Sequence, residues 1–242
     1  DTLEANKDEL AAVIIEPMLG SVGMLPATYE FLTMLREFTT ANKIILIFDE
    51  VISYRASSGG TQELYGITPD MTSLGKIIGG GFSIGAFGGS KDIMDLYDPT
   101  APGGPRVAHA GTFNANPVTM VAGAATLEQL TPQVYRKLAE MTEYLRAGIK
   151  QVGADLETPV QVTGLGSLFG IHFTGEELVG YRDIAAEDSA FRHQVFLGLL
   201  NEGILMASNL VGAVSTEIGE AEIDAFAAAL RRVLERALTP SD

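Results

Sequence analysis

The stretch "IILIFDEVISYR", residues 44–55, decides the fold class, because an apolar run of strand length leads directly into charged residues. The five residues from Ile44 to Phe48 have the pattern of a parallel strand that is covered on both faces. Asp49 and Glu50 follow at once, and an unpaired carboxylate against a core is costly. We therefore expect a positive partner at the carboxyl end of this strand.

Composition limits the classes of function. The 242 residues are 46% hydrophobic and carry a formal net charge of -15, as expected for a well-buried globular protein with no basic surface for nucleic acid. No cysteine occurs, which excludes disulfides, thiolate catalysis and Cys-ligated metals. The sequence shows neither a signal-peptide pattern nor an apolar run long enough for a membrane, so we predict a cytoplasmic protein without a membrane partner.

The segments around this stretch predict an α/β protein in two parts, divided between residues 134 and 135. Residues 11–17 have a strand pattern and residues 28–43 a helix pattern, so that strand, helix and strand form a right-handed βαβ unit. The other predicted elements are a strand in "GAFGGS", helices in "NPVTMVAGAATLEQL" and "PQVYRKLAEMTEYLRAGIKQV", a strand at 166–173, a helix at 188–202, a strand in "GILMA" and a helix in "GEAEIDAFAAALRRVLERAL".

Asp49 lies where open α/β sheets bind ligands, beyond the carboxyl end of a strand. A carboxylate there could bind a metal, act as a base or pair with a cationic ligand. The rest of "DEVISYR" does not supply the further acids or histidines of a metal site, so we expect no metal. A cap or a salt bridge to Arg55 is the structural alternative, and for an isolated acid it is the commoner one.

Lys76 lies in "SLGKIIGGG", with no acid within five residues on either side. Such a lysine is either a surface residue, the commoner case, or a desolvated amine suited to Schiff-base chemistry. The glycines form no dinucleotide fingerprint, since Ile84 replaces the last glycine, and no P-loop, since Ile77 replaces Ser or Thr. An acid at a strand end and a lysine 27 positions later favour pyridoxal 5'-phosphate (PLP), which requires both.

Three blocks, "IFDEVISYR", "TPDMTSLGKIIGGGFSIGAFGGS" and "HAGTFNANPVTMVAG", resemble in order and spacing the signatures of class III (subgroup II) PLP-dependent aminotransferases, in wording closest to glutamate-1-semialdehyde 2,1-aminomutase and its relatives. The resemblance covers essentially the whole chain but only the second half of the family pattern. It implies the C-terminal half of a PLP fold-type I large domain, a mostly parallel sheet with flanking helices, in residues 1–134. A small C-terminal α/β domain would follow in residues 135–242.

The resemblance also implies the roles of individual residues. Asp49 would pair with the pyridine nitrogen of PLP, and Val51 would pack on one face of the ring. Lys76 would form the internal aldimine and then move a proton between substrate and cofactor. In "GTFNANP", Gly111 and Thr112 would bind the phosphate, with Thr112 reaching the partner's cofactor across a homodimer interface.

Five further residues, three of them in these blocks, are expected to have no direct role with the cofactor. We expect Glu50 and Arg55 to have structural roles or to support the site without touching the cofactor, and His109 to form a hydrogen bond within its loop. His172 is expected in the core and His193 on the surface.

The resemblance predicts a truncated transaminase that moves an amino group from a small-molecule amine or amino acid to a carbonyl acceptor. An aminomutase acting on an amino-aldehyde is one alternative, although "MASNLVGAVSTE" lacks the acid expected in that pattern, as well as the arginine that many relatives use on a substrate carboxylate. A non-catalytic or split-enzyme fragment that needs a separate N-terminal chain is the other.

Overall fold

The computed structural model describes residues 1–239, which divide into two compact units. Unit 1 comprises residues 1–17 and 28–131, and unit 2 comprises residues 18–27 and the chain from residue 132 onward. The helices are α1 (Thr2–Asn6), α2 (Tyr29–Asn42), α3 (Gly60–Tyr65), α4 (Lys91–Met94), α5 (Pro117–Gln129), α6 (Pro132–Asp155), α7 (Tyr181–Ala185), α8 (Ser189–Asn201) and α9 (Glu220–Leu238). The strands are β1 (Ala12–Ile15), β2 (Met18–Leu19), β3 (Leu25–Pro26), β4 (Ile45–Asp49), β5 (Met71–Gly75), β6 (Gly85–Gly89), β7 (Gln161–Thr163), β8 (Leu168–His172) and β9 (Val211–Ala213).

Unit 1 contains a four-stranded sheet of order β1-β4-β5-β6. The pairs β1–β4 and β4–β5 are parallel, and β5–β6 is antiparallel. The predicted strand, helix and strand around residues 11–49 are confirmed as β1, α2 and β4, and "GAFGGS" contains β6 as predicted. The mostly parallel sheet brings the carboxyl ends of β4 and β5 to one edge.

One face of β4 is buried under α2. Thr28 caps the helix by accepting a hydrogen bond from the Phe31 backbone N–H, and Leu32 and Leu35 of the helix are buried. The other face of β4 is only half-buried, and on the paired strand β1 the side chain of Ile14 is 63% exposed. The expectation that the strand is covered on both faces is therefore wrong within residues 1–239, because the described chain places a helix layer over one face only.

Unit 2 contains the two-stranded sheet β2–β3 and the antiparallel sheet β7-β8-β9. The core lies between β8 and the helices α6, α8 and α9. On α9 the helical spacing of Ile223, Phe226, Ala227, Leu230, Val233 and Leu234 predicts one apolar stripe facing the core. All of these residues are buried except Ala227, which is only partly buried, and Ala229 lies in the core instead.

The predicted strand in "GILMA" is wrong. Residues 204–207 form no strand, and the strand that pairs with β8 on the side opposite β7 is β9, a few residues later. Gly212 lies in the middle of β9 and interrupts the apolar pattern from which a strand would be predicted. A side chain cannot be accommodated there, since a Cβ would lie 2.5 Å from the ring of Phe169.

Candidate active site

The predicted acid and lysine lie at the ends of two adjacent parallel strands in unit 1. Asp49 is the last residue of β4 and is in register with Ser73 of β5. Lys76 follows the end of β5 directly, about 10 Å beyond Ser73 along the strand direction at the usual rise per residue. Both therefore lie at the edge of the sheet where ligands of α/β proteins bind.

The carboxylate of Asp49 is oriented by hydrogen bonds to one of its two oxygens. Oδ1 accepts the backbone N–H of Val51 at 3.1 Å and the hydroxyl of Ser73 at 2.9 Å. No residue within 1–239 donates a hydrogen bond to Oδ2 or forms a salt bridge with Asp49, so the proposed ion pair with Arg55 is not formed. The first oxygen therefore caps the turn after β4, and the second is available to a ligand.

Glu50 is fully buried and has a structural role, as expected. Its carboxylate accepts the backbone N–H and the hydroxyl of Thr61 at 2.5 and 2.7 Å and the side-chain amide of Gln62 at 3.0 Å. These donors lie in the first turn of α3, where a negative charge is favourable. The partner of this acid is thus a helix N-terminus and not a cationic side chain.

Lys76 combines an exposed side chain with a strained backbone. Its φ of 49° lies in the left-handed region, which costs a non-glycine residue about 1–2 kcal/mol. Within the described chain its amine forms no hydrogen bond or ion pair. Such strain is concentrated at functional sites. The preceding residue, Gly75, is buried against Val51, since a Cβ there would lie 3.2 Å from Val51 Cγ1.

The glycines that follow Lys76 allow its 3₁₀ turn, Lys76–Gly79, to pack directly on α5. A Cβ on Gly80 would clash with the carbonyl oxygen of Ala122, and a Cβ on Gly123 would clash with that of Ile78. Backbone therefore touches backbone at this contact, which explains the glycine-rich sequence without a phosphate loop. The contact fixes the lysine-bearing turn relative to the helix that begins after "GTFNA".

Gly111 and Thr112 lie in an exposed turn just before α5. No described residue forms a hydrogen bond with the hydroxyl or the backbone N–H of Thr112, and none links Thr112 to Asp49 or Lys76. His109 contacts Asn114 through Nε2 and the side-chain amide at 3.3 Å, which confirms its predicted role within the loop. The pyridine-binding and phosphate-binding residues predicted from the sequence are thus two separate groups in this chain.

A cavity of about 760 Å³ lies between β6 and the start of α5, in a place that no sequence motif predicts. The rings of Phe87, Tyr97 and His109 form its aromatic wall, with Phe87 5.1 Å from Tyr97 and 5.3 Å from His109 between ring centroids. These rings come from three separate segments, so no local sequence pattern could have grouped them.

Residues 1–239 contain neither a cluster of potential metal ligands nor a membrane-spanning helix. No group of three or more His, Cys, Asp or Glu side chains there could hold a metal ion. None of the helices in that range has both the length and the apolar character needed to span a membrane.

Comparisons with known proteins identify a family and a set of longer relatives. The family described as "Aminotransferase class-III" matches residues 1–233. The β-phenylalanine transaminase of Variovorax paradoxus is 42% identical over 94% of this chain and 52% of its own length. Glutamate-1-semialdehyde 2,1-aminomutase of Methanothermobacter thermautotrophicus is 40% identical over 85% of this chain and 48% of its own.

The solved structures that resemble this chain agree with the family match. An omega-transaminase from Sphaerobacter thermophilus superimposes with a TM-score of 0.93 at 48% identity, over 97% of this chain and 54% of that one. A transaminase with PLP bound has a TM-score of 0.89 at 36% identity, over 98% of this chain and 55% of its own. The chain spans about half the length of the relatives that it matches.

Proposed function

The chain belongs to the class-III aminotransferases, and on that premise we propose that it supplies the lysine-bearing half of a transaminase site. The reaction would move an amino group from an amine or amino acid to a carbonyl acceptor. One observation carries the proposal: the ends of two adjacent parallel strands bring to the same edge of the sheet an amine on a strained backbone, Lys76, which has no partner within residues 1–239, and a carboxylate with an open oxygen, Asp49.

PLP is the cofactor of this family, and the residues present fit it. A protonated pyridine nitrogen requires one acceptor, and Oδ2 of Asp49 is available while Oδ1 is held by Val51 and Ser73. An aldehyde requires an amine without an ion-pair partner, which Lys76 provides. When bound, PLP supplies an electron sink for the negative charge that develops at the substrate Cα.

Each residue has a defined task in this proposal. Asp49 keeps the pyridine nitrogen protonated, and Val51, lying against Gly75, packs on the ring. The Nζ of Lys76 would move a proton from the substrate Cα to C4′ of the cofactor, and would move a proton back from C4′ to Cα once the carbonyl acceptor has replaced the first product. Gly111 and Thr112 bind the phosphate through N–H and hydroxyl donors that have no partner within residues 1–239.

Among the solved structures, sequence identity is higher to a transaminase than to an aminomutase, whereas the curated relatives of both activities are similarly identical, at 42% for the transaminase of Variovorax paradoxus and 44% for the aminomutase of Citrifermentans bemidjiense. The omega-transaminase structure is 48% identical with a TM-score of 0.93, whereas a Pseudomonas aeruginosa glutamate-1-semialdehyde aminomutase is 25% identical with a TM-score of 0.87. We therefore expect an external donor, a primary amine or a β-amino acid such as β-phenylalanine. Release of a free keto product from that donor separates this reaction from a mutase, in which donor and acceptor are one molecule.

The binding of PLP to Lys76 is tested by absorbance after addition of PLP, followed by borohydride reduction and peptide mapping. We expect the reduced label on Lys76 and its loss in Lys76→Ala, with Lys91→Ala as the control for an exposed lysine. Label distributed over several lysines, unchanged by Lys76→Ala, would reject the assignment.

A second candidate, one half of a split enzyme, is favoured by the uncovered face of the unit 1 sheet. Parallel sheets are normally covered on both faces. Here Ile14 is 63% exposed, and the residues of β4 on the same face are only half-buried. The relatives are about twice as long as this chain, so a complementary polypeptide corresponding to their remaining half would cover this face.

Co-expression with the N-terminal half of the Variovorax paradoxus enzyme tests this second candidate. The expected result is a stable complex that binds PLP stoichiometrically and transaminates, with Ile14→Lys weakening the complex. Full transaminase activity of the chain alone would show that no complementary half is needed.

The proposed homodimer would place Thr112 of the partner subunit at the cofactor phosphate. The start of α5 supports such an interface, since Phe113 is 82%, Val118 59% and Val121 72% exposed. Exposed apolar patches of this kind mark interaction sites. Sedimentation of the PLP-loaded enzyme should show a dimer, and Val121→Asp should shift it to monomer; a monomer with full activity would exclude the shared site.

A further inference from the structure

A buried histidine in unit 2 contacts acceptor groups with both of its ring nitrogens. His172 lies on β8 and is 2% exposed. Its Nε2 lies 2.9 Å from the carbonyl oxygen of Gly23 and 3.0 Å from the hydroxyl of Thr163. Its Nδ1 lies 2.6 Å from Oε1 of Glu187, whose side chain is also 2% exposed.

The partners determine how many protons the pair holds. A carbonyl oxygen only accepts, and the hydroxyl of Thr163 already donates to Gly23 O at 2.5 Å, so Nε2 of His172 must carry a proton. The contact between Nδ1 and Glu187 requires a second proton. The guanidinium of Arg192, 3.9 Å from the other oxygen of Glu187, stabilises the ionised carboxylate and so assigns that proton to the imidazole.

We propose that His172 is an imidazolium ion which, paired with ionised Glu187, acts as a proton-dependent latch that holds the segment Met18–Ala27 on unit 2. Residues 18–27 belong to unit 2 although the chain on either side belongs to unit 1. The latch therefore holds the place where the chain leaves unit 1 and returns to it. This inference does not depend on the proposed transaminase activity.

Strands β2 and β3 and the turn between them form a hairpin, residues 18–27, and its turn accommodates the contact with His172. Gly23 has a φ of 96°, and a Cβ on it would lie 2.6 Å from Cε1 of His172, so only glycine lets the backbone rest on the ring. The same turn forms a hydrogen bond with a second residue of unit 2: the side-chain amide of Asn209 donates to the carbonyl oxygen of Ser21 at 2.7 Å. Residues 18–27, "MLGSVGMLPA", contain no charged residue.

The direction of the pH dependence follows from the proton count. When one proton leaves, the remaining one stays on Nδ1 against the ionised Glu187, and Nε2 then opposes the Gly23 carbonyl with a lone pair. The latched state thus holds more protons than the open one, so the latch weakens as pH rises. Among residues 1–239, the charged groups that contact the imidazole or its ion pair are Glu187 and, on α8, Arg192, and the cross-strand partner of His172 on β7 is the uncharged Gln161.

Amide hydrogen exchange of the full chain, measured over a series of pH values, tests the latch. The amides of α9 serve as the reference, because the intrinsic exchange rate of every amide also changes with pH. We expect the exchange of residues 18–27 to accelerate about tenfold to a hundredfold as the proton is lost, the range typical of a hydrogen bond to a charged group. In Glu187→Gln the amide can donate to Nδ1 and keep the proton on Nε2, so the hairpin stays protected and its pH dependence disappears. The exposed His193→Gln is the matched control and should behave as the wild type.

The protonation state is measured independently by ¹⁵N NMR of the wild-type chain, which has three histidines. His172→Gln identifies the signal, and we expect both nitrogens of His172 to be protonated while the hairpin is protected. A single protonated nitrogen in the protected state overturns the proposal, as does an unchanged pH dependence in Glu187→Gln. Should Glu187→Gln fail to fold, the NMR measurement on the wild type decides alone.

Discussion

The contact between α5 and the lysine-bearing turn leads to a quantitative prediction for Gly123→Ala. The new Cβ would lie under 3.0 Å from the carbonyl oxygen of Ile78, closer than real Cβ atoms come. Helix and turn must therefore separate, by a distance on the order of 1 Å, and a misplacement of that size costs roughly a hundredfold in rate when it moves a catalytic group. Lys76 begins that turn.

The stability change combines two opposing contributions. Alanine is favoured over glycine in a helix by about 1 kcal/mol, whereas overpacking costs about 1–3 kcal/mol. We expect Gly123→Ala to lower the free energy of unfolding by up to about 2 kcal/mol, the difference between these contributions. The matched control is Gly148→Ala in α6, where the Cβ would make an ordinary 3.6 Å contact with Ala227, and this variant should gain about 0.5–1 kcal/mol.

Urea unfolding of both variants gives the free energies, and borohydride reduction with PLP gives the rate of labelling at Lys76. We expect Gly123→Ala to lose stability and labelling together, while Gly148→Ala keeps the wild-type labelling rate. If both variants gain stability equally and label Lys76 as the wild type does, the direct backbone contact does not position the lysine.

Three further changes have defined outcomes. Glu50→Gln places an amide among buried donors and should cost about 2–4 kcal/mol in urea unfolding. Asp49→Asn removes the charge that we propose faces the pyridine nitrogen and should weaken PLP binding about tenfold to a hundredfold in a spectroscopic titration, with folding little changed. The hydrogen bonds of Arg232 and Arg236 lower the pKa of Glu202, so this group stabilises unit 2 at neutral pH, and that stability is lost as pH falls below the ordinary carboxylate value of 4.5. Glu202→Gln should reduce the acid sensitivity of thermal unfolding, and an unchanged profile would show that these bonds do not contribute.

Elements with a strong local pattern were predicted well, because their burial follows directly from the spacing of apolar residues. α2 and α9 form where their stripes predicted them, and the parallel pair β1–β4 forms around α2. The confirmed fold, the second half of a PLP fold-type I large domain with a small α/β domain, followed from three sequence blocks and agrees with the solved relatives.

Features that depend on contacts distant in sequence could not be predicted. His172 was expected only to be a core residue, since its partners Gly23 and Glu187 lie 149 and 15 positions away. The strand β9 was missed because Gly212 interrupts its apolar pattern in order to accommodate Phe169. Similarly, the clashes that require glycine at 80 and 123 exist only once α5 packs on the turn.

Asp49 and Glu50 differ in role because successive side chains of a strand point to opposite faces of the sheet. Leu46 and Phe48 point to the buried face, and since the Glu50 backbone N–H still bonds Ser73 O, Glu50 continues that face. A charge placed there must be satisfied within the protein, and α3 supplies the donors. Asp49 lies on the opposite, half-buried face with Ile47, where a ligand can approach its open oxygen. The alternation that builds the strand therefore also separates the structural acid from the one available to a cofactor.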